Sequence, residues 1–182
     1  MTEARLRAPM EENHQREQYF FDAPTVAALA DLLTAFERPC ALCAPLVGQE
    51  LARRKHPVRI LDVDKRFSRV PGFLRWDLYR PTHLDEDFEV LLCDPPFFNV
   101  SLSQLFTALR MLCHFDLSRK VMVGYLVRRE EALLGTFAPF ALKPTGCFPA
   151  YQTVQACGRN DIQFYANFEI PAAVAARLER YP

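Results

Sequence analysis

The residues best suited to chemistry form one tetrapeptide, Asp94-Pro95-Pro96-Phe97, directly after the apolar run Glu89-Val90-Leu91-Leu92-Cys93. Neither proline has an N–H, each fixes its own φ, and each pushes the residue before it toward an extended conformation. The expected product is a stiff hook at the end of a buried strand. Its carbonyls have no helical partner and its carboxylate stays close by, so the array accepts hydrogen bonds and donates none. That suits the two N–H bonds of an amino group. Phe97 adds a ring face for a planar base or an aliphatic stem. A bare DPP tripeptide reads as a turn that ends a strand; its place after a central strand and before an aromatic favours a functional role.

Two further acids end apolar runs: Asp62 closes Val58-Arg59-Ile60-Leu61, and Asp77 follows Phe73–Trp76. Asp is common wherever a strand enters a turn. Three on successive strands would nevertheless line one crevice, because ligands in parallel sheets bind at the carboxyl ends of the strands. Cys40 and Cys43 have CxxC spacing, but residues three apart on a strand point to opposite faces. There is no second CxxC and no pair of histidines at ligand spacing among His14, His56, His83 and His114, so no metal is expected. Free buried thiols are the expectation for Cys40, Cys43, Cys93, Cys113, Cys147 and Cys157.

These residues need elements to hold them. Asp22 and Pro24 suit the start of a helix over Thr25 to Phe36, with Val26, Leu29, Leu32 and Leu33 at helical spacing. Cys40–Ala44 reads as a short buried strand, Leu46 to Lys55 as a helix opened by Pro45, and Val58 to Val63 as a strand. Phe73–Trp76 and Glu89 to Cys93 follow as strands, then a helix from about Ser101 to His114. Lys120 to Val127 is the most apolar strand, and Arg128 to Gly135 a short helix. Late strands near Phe140–Lys143 and Ile162–Ile170 precede a short helix near Ala172 to Arg180. Buried strands alternating with helices predict an α/β fold with a mostly parallel sheet and helices on both faces. The last two strands have no helix between them and should pair antiparallel at one edge. Residues 1–17 read as a polar, mobile arm and 18–182 as one domain.

The bulk properties limit the alternatives. The 182 residues are 50% hydrophobic, which is incompatible with intrinsic disorder. Lys+Arg and Asp+Glu are both 22, so a grip on nucleic acid through whole-surface charge is not expected, although a local basic patch is compatible. No apolar run is long enough to span a bilayer, and the polar N-terminus lacks an apolar signal core. No membrane partner and a cytoplasmic location are the expectations.

At Asp94-Pro95-Pro96-Phe97 the chain resembles the [DNS]-P-P-[YFW] motif of S-adenosylmethionine-dependent amino methyltransferases. Gln18-Tyr19-Phe20-Phe21, Cys43-Ala44-Pro45, Asp62-Val63-Asp64-Lys65-Arg66-Phe67 and Gln163 to Phe168 are similar to one branch of that superfamily, the probable N6-adenine methyltransferases, over roughly residues 12–171. Its eukaryotic relatives include a lysine methyltransferase of translation elongation factor 1-alpha and a zinc-knuckle ribosomal RNA adenine methyltransferase.

The resemblance implies a Rossmann-like class I methyltransferase fold and S-adenosyl-L-methionine as cofactor. It implies that Asp62, or Asp64 instead, accepts from the cofactor ribose, and that Asp77 meets the cofactor adenine. Cys43, Ala44 and Pro45 would form the turn beside the methionine part, and Phe20 and Phe21 would pack over cofactor or acceptor. Asp94, Pro95, Pro96 and Phe97 would hold the acceptor nitrogen. Methyltransferases of this class usually carry a Gly-rich cofactor loop; here the loop reads Cys-Ala-Pro-Leu-Val-Gly, with only Gly48. The expected acceptor is adenine N6 in RNA or DNA, with a protein lysine as the alternative. A non-catalytic interaction module is a third reading, opposed by the intact motif.

Overall fold

A computed structural model describes residues 11–154, 158 and 160–179. Residues 1–10 of the expected arm and Cys157 lie outside the described residues. Four parallel strands come from short apolar runs: β1 (Pro39–Leu42), β2 (Arg59–Asp62), β3 (Phe73–Arg75) and β4 (Val90–Cys93). A fifth, β5 (Lys120–Leu126), joins them in the same direction. The edge strand β6 (Lys143–Pro144) and the inner strand β7 (Ile162–Ala166) complete a seven-stranded sheet of order β3-β2-β1-β4-β5-β7-β6, in which β7 runs antiparallel to both its neighbours. Every residue of β1 and β4 is buried, as continuous apolar runs in a sheet covered on both faces require.

Alternate residues face two cores. Leu42, Leu91, Cys93 and Val123 pack with α3 (Leu102–Leu112) on one face. Ala41, Leu92, Met122 and Phe164 pack with α1 (Ala23–Leu33) and α2 (Pro45–Arg53) on the other, together with residues of and after α5 (Ala172–Ala175). The helix starts follow local chemistry. Asp22 caps α1 by accepting from the Thr25 N–H at 2.9 Å, and Ser101 and Gln104 form a reciprocal capping box at α3.

The structure differs from the sequence reading at the second-last strand. Phe140 lies not in a strand but in a 3-10 turn, Ala138–Phe140, and Ala141 after it is left-handed at φ 55°. Phe140 is drawn into an aromatic cluster with Phe106 and Phe137, and Pro139 has no N–H to donate to a ladder. Only Lys143–Pro144 remains to pair with β7. The short helix expected near Arg128 to Gly135 is a 3-10 turn, Val127–Arg129, followed by α4 (Glu130–Thr136).

The strand order reverses between β1 and β4. One half of the sheet proceeds from β1 through β2 to β3, the other from β4 outward. The crevice at this switch point opens above Cys43 and Asp94, the residues that follow β1 and β4.

Candidate active site

A cavity of about 940 Å³ occupies that crevice. Asp62, Asp77 and Asp94 all line it, as their placement at three strand ends requires, and so do Phe20, Cys43, Pro45, Asp64 and the Pro95-Pro96-Phe97 hook. Ala44 and Phe21 do not. Ala44 is buried as the residue before α2. Phe21 points the opposite way from Phe20, as successive residues of an extended chain do, and packs against Tyr151 at 5.0 Å and Phe164 at 6.0 Å. It thus supports Tyr151, which does line the cavity.

Asp94 is 9% exposed. Its N–H donates to the Leu42 carbonyl at 3.1 Å, the last tie between β4 and β1 before the prolines begin. Its Oδ1 accepts from the Tyr151 hydroxyl at 2.7 Å. Gly124 on β5 makes room for that oxygen, since a Cβ there would stand 3.2 Å from it. Burial pushes the Asp94 carboxyl up to about 8, with the Tyr151 bond pulling the other way. Among the described residues no hydrogen bond uses Asp94 Oδ2 or the carbonyls of Pro95 and Pro96. Phe97 packs edge-on against Tyr125 at 5.9 Å, and its carbonyl accepts from Arg129 at 3.4 Å.

Asp62 and Asp64 lie two residues apart but face different tasks. Asp64 accepts from the Arg66 guanidinium at 2.7 and 3.0 Å, from the Arg66 N–H at 3.0 Å, and from Gln18 at 2.8 Å. Burial works to raise its pKa, but these bonds outweigh it and hold the carboxyl below its usual range. Asp62 is 7% exposed and uses Oδ1 to accept from the Asp64 N–H at 2.8 Å. Burial, with the Asp64 charge nearby, pushes it up to about 6. Asp77 accepts from the Tyr79 N–H at 3.0 Å on the facing wall.

The cavity end of β1 departs from a glycine loop in an informative way. Cys43 itself takes the left-handed conformation, φ 54°, that a glycine would adopt without cost. Gly48 serves something else: it lies in α2, where a Cβ would fall 2.4 Å from Ile60 Cγ1. It allows close helix–sheet packing and does not line the cavity. Cys40 is buried beneath the sheet surface and Cys43 lines the cavity, so the CxxC spacing forms no joint site. Among the described residues no group of His, Cys, Asp and Glu could hold a metal.

The residues that sequence reasoning missed come from the N-terminal segment and from the irregular chain after β6. Residues 11–17, read as mobile arm, run across the cavity as a strap with a 3-10 turn at His14–Arg16. Glu12 accepts from the Phe20 N–H at 2.8 Å, and from Thr153 and His14. The Glu11 carbonyl accepts from Arg66 at 2.7 Å. Glu17, left-handed at φ 52°, accepts from the Phe98 N–H at 3.2 Å and the Asn99 N–H at 2.8 Å, in the turn that follows the proline hook. No local motif marks Glu17 or Tyr151, because their partners lie 81 and 57 positions away.

The sheet order and the helices around it are those of a Rossmann-like class I methyltransferase fold. The chain belongs to the probable N6-adenine methyltransferase family, whose model matches residues 12–170, and with it to the S-adenosylmethionine-dependent methyltransferases. No curated protein sequence matches the chain. Among solved structures it is similar in fold to a TehB-like SAM-dependent methyltransferase from Corynebacterium glutamicum, at 12% identity and TM-score 0.56 over 80% of this chain and 87% of that one. A S-adenosylmethionine-dependent methyltransferase from Clostridium acetobutylicum gives 7% identity and TM-score 0.56, covering 79% and 89%. Magnesium protoporphyrin IX methyltransferase from Synechocystis, with bound SAM, gives 12% and 0.52, covering 79% and 78%. Among the described residues no helix is long and apolar enough to cross a membrane.

Proposed function

We propose that this chain transfers a methyl group to the exocyclic N6 amine of adenine in RNA or DNA, with the amine held by Asp94 and the Pro95 carbonyl. The observation that carries this reading is the pair of unused acceptors, Asp94 Oδ2 and the Pro95 oxygen, on one rigid hook that opens into the cavity. When bound, S-adenosylmethionine supplies an electrophilic methyl group on a positively charged sulfur. The residues present fit it: Asp62 lines the cavity and is held only by backbone N–H groups of its own turn, while Asp64 is engaged by the Arg66 and Gln18 side chains. We therefore assign the ribose to Asp62 and to Asp64 the tethering of the strap. Asp77 and Trp76 form the facing wall for the adenine ring of the cofactor, with Cys43 and Pro45 below.

The adenine amine is a poor nucleophile because its lone pair is conjugated with the ring. Asp94 and the Pro95 carbonyl accept its two N–H bonds and draw the nitrogen toward a tetrahedral shape. These bonds strengthen as positive charge develops on nitrogen, so they favour the transition state over the bound ground state. Asp94 takes the proton that the nitrogen releases, a role suited to a carboxyl pushed up to about 8. The hook and the strap hold the acceptor at attack distance and keep water out.

One observation favours a protein lysine as the second reading. The charged groups along the cavity are mostly acidic, with Glu12, Glu17, Asp62 and Asp77 among them against Arg66 and Arg75, which suits a cationic acceptor better than a phosphate chain. Tritiated methyl transfer into total RNA, DNA and protein, followed by nuclease or protease digestion, decides between them. The adenine reading expects nuclease-sensitive label recovered as N6-methyladenine; protease-sensitive label on lysine overturns it.

A further inference from the structure

Asp94 can hold an amine only if its carboxyl group presents a fixed oxygen. A free Asp side chain rotates about two bonds, and its outer torsion is broad. Tyr151 lines the cavity beside it and donates to Oδ1 at 2.7 Å. The tyrosine is itself fixed. Its ring lies 5.0 Å from that of Phe21, and the two residues form an isolated antiparallel bridge. The flanking backbone is stitched on both sides, by Asp22 N–H to the Ala150 carbonyl and Gln152 N–H to the Phe20 carbonyl, each at 2.9 Å. The side-chain-free backbone of Gly124 comes close to the same oxygen, since a Cβ there would stand 3.2 Å from it. Oδ1 thus meets both a hydroxyl and the β5 backbone, and Oδ2 is the oxygen left for a ligand.

We infer that Tyr151 is a positioning residue for methyl transfer, clamping Oδ1 of Asp94 so that Oδ2 faces the acceptor amine. The inference rests on the reading that Asp94 binds the acceptor. The other titratable groups facing Asp94 are the thiols of Cys93 at the end of β4 and Cys43 after β1, both pushed well above their ordinary range by burial and so uncharged. No cation is among the groups that shift Asp94, and the Tyr151 bond is the one contact there that favours the ionised carboxylate.

The test is the 13C NMR titration of the Asp94 carboxyl, assigned by its disappearance in Asp94→Asn and compared between the parent chain and Tyr151→Phe. The substitution removes one oxygen and leaves the ring on Phe21. The expected midpoint, about 8 in the parent, moves upward in Tyr151→Phe. Incorporation of 3-fluorotyrosine, a stronger phenol donor, moves it downward. Transfer of tritiated methyl into total RNA falls roughly tenfold in kcat, the loss expected for one hydrogen bond to a charged group, and S-adenosylmethionine affinity by calorimetry stays within about twofold. A midpoint unmoved by both changes overturns the clamp. A midpoint that moves while transfer is unaffected supports the clamp and overturns the acceptor role of Asp94.

Discussion

In the folded chain Asp94 keeps its proton up to about pH 8, whereas in the unfolded chain it releases it near ~3.9. Between those limits the native state binds more protons than the unfolded one, so folding stability falls as pH rises through the window. Asp94→Asn removes the cost of burying that charge while keeping an oxygen for the Tyr151 bond. We expect it to gain on the order of 5 kcal/mol over the parent at pH 8, with the gain vanishing near pH 4, as read from urea midpoints at both pH values. The same group sets a kinetic limb. Under the proposed role, in which the ionised carboxylate accepts the amine, kcat/KM should climb tenfold per pH unit below about 8 and level off above it. A flat profile from pH 6 to 8 would remove Asp94 from the chemistry. On the cofactor side, Asp62→Ala should weaken S-adenosylmethionine binding at least tenfold by calorimetry, and Asp64→Ala should have the smaller effect.

At the scale of elements the strap and the hook act together. Glu17 accepts from both N–H groups of the turn at Phe98 and Asn99, and its neighbour Gln18 binds Asp64 on the cofactor side. Glu17→Ala leaves the first pair open. Amide exchange at Phe98 and Asn99 should accelerate, and the acceptor KM should rise several-fold while cofactor affinity holds. Gly48→Ala tests the other departure. Its Cβ overlaps Ile60, so the expected loss is roughly 1–3 kcal/mol in stability with cofactor affinity preserved in the folded fraction; an affinity loss without a stability loss would return Gly48 to the binding loop. The parallel strands and their acids were legible because burial leaves continuous apolar runs and Asp marks their ends. The strap was not, since polar residues such as Glu12 and Glu17 acquire meaning only through bonds to Thr153 and Phe98 far along the chain. Phe140 misled because its apolar neighbours suit a strand, while its ring is committed to Phe106 and Phe137.

For the molecule as a whole, the cavity lies at the switch point between β1 and β4, and residues of the strap line it. A ligand that binds only this assembled site stabilises the native state by mass action, about 2.7 kcal/mol at a hundred times its Kd. S-adenosylhomocysteine should therefore raise the melting temperature by several degrees, and should do so in Asp94→Asn as well. The acidic cavity and the balanced overall charge indicate that an RNA or DNA acceptor would be gripped by local contacts more than by long-range attraction. The most direct measurement of the central claim is single-turnover transfer of tritiated methyl from a saturating donor, compared between the parent and Asp94→Asn on the acceptor fraction that takes up label. Loss of transfer by a hundredfold or more, with donor affinity intact, is the result predicted from an amine held on Asp94 Oδ2. Transfer at the parent rate would contradict it.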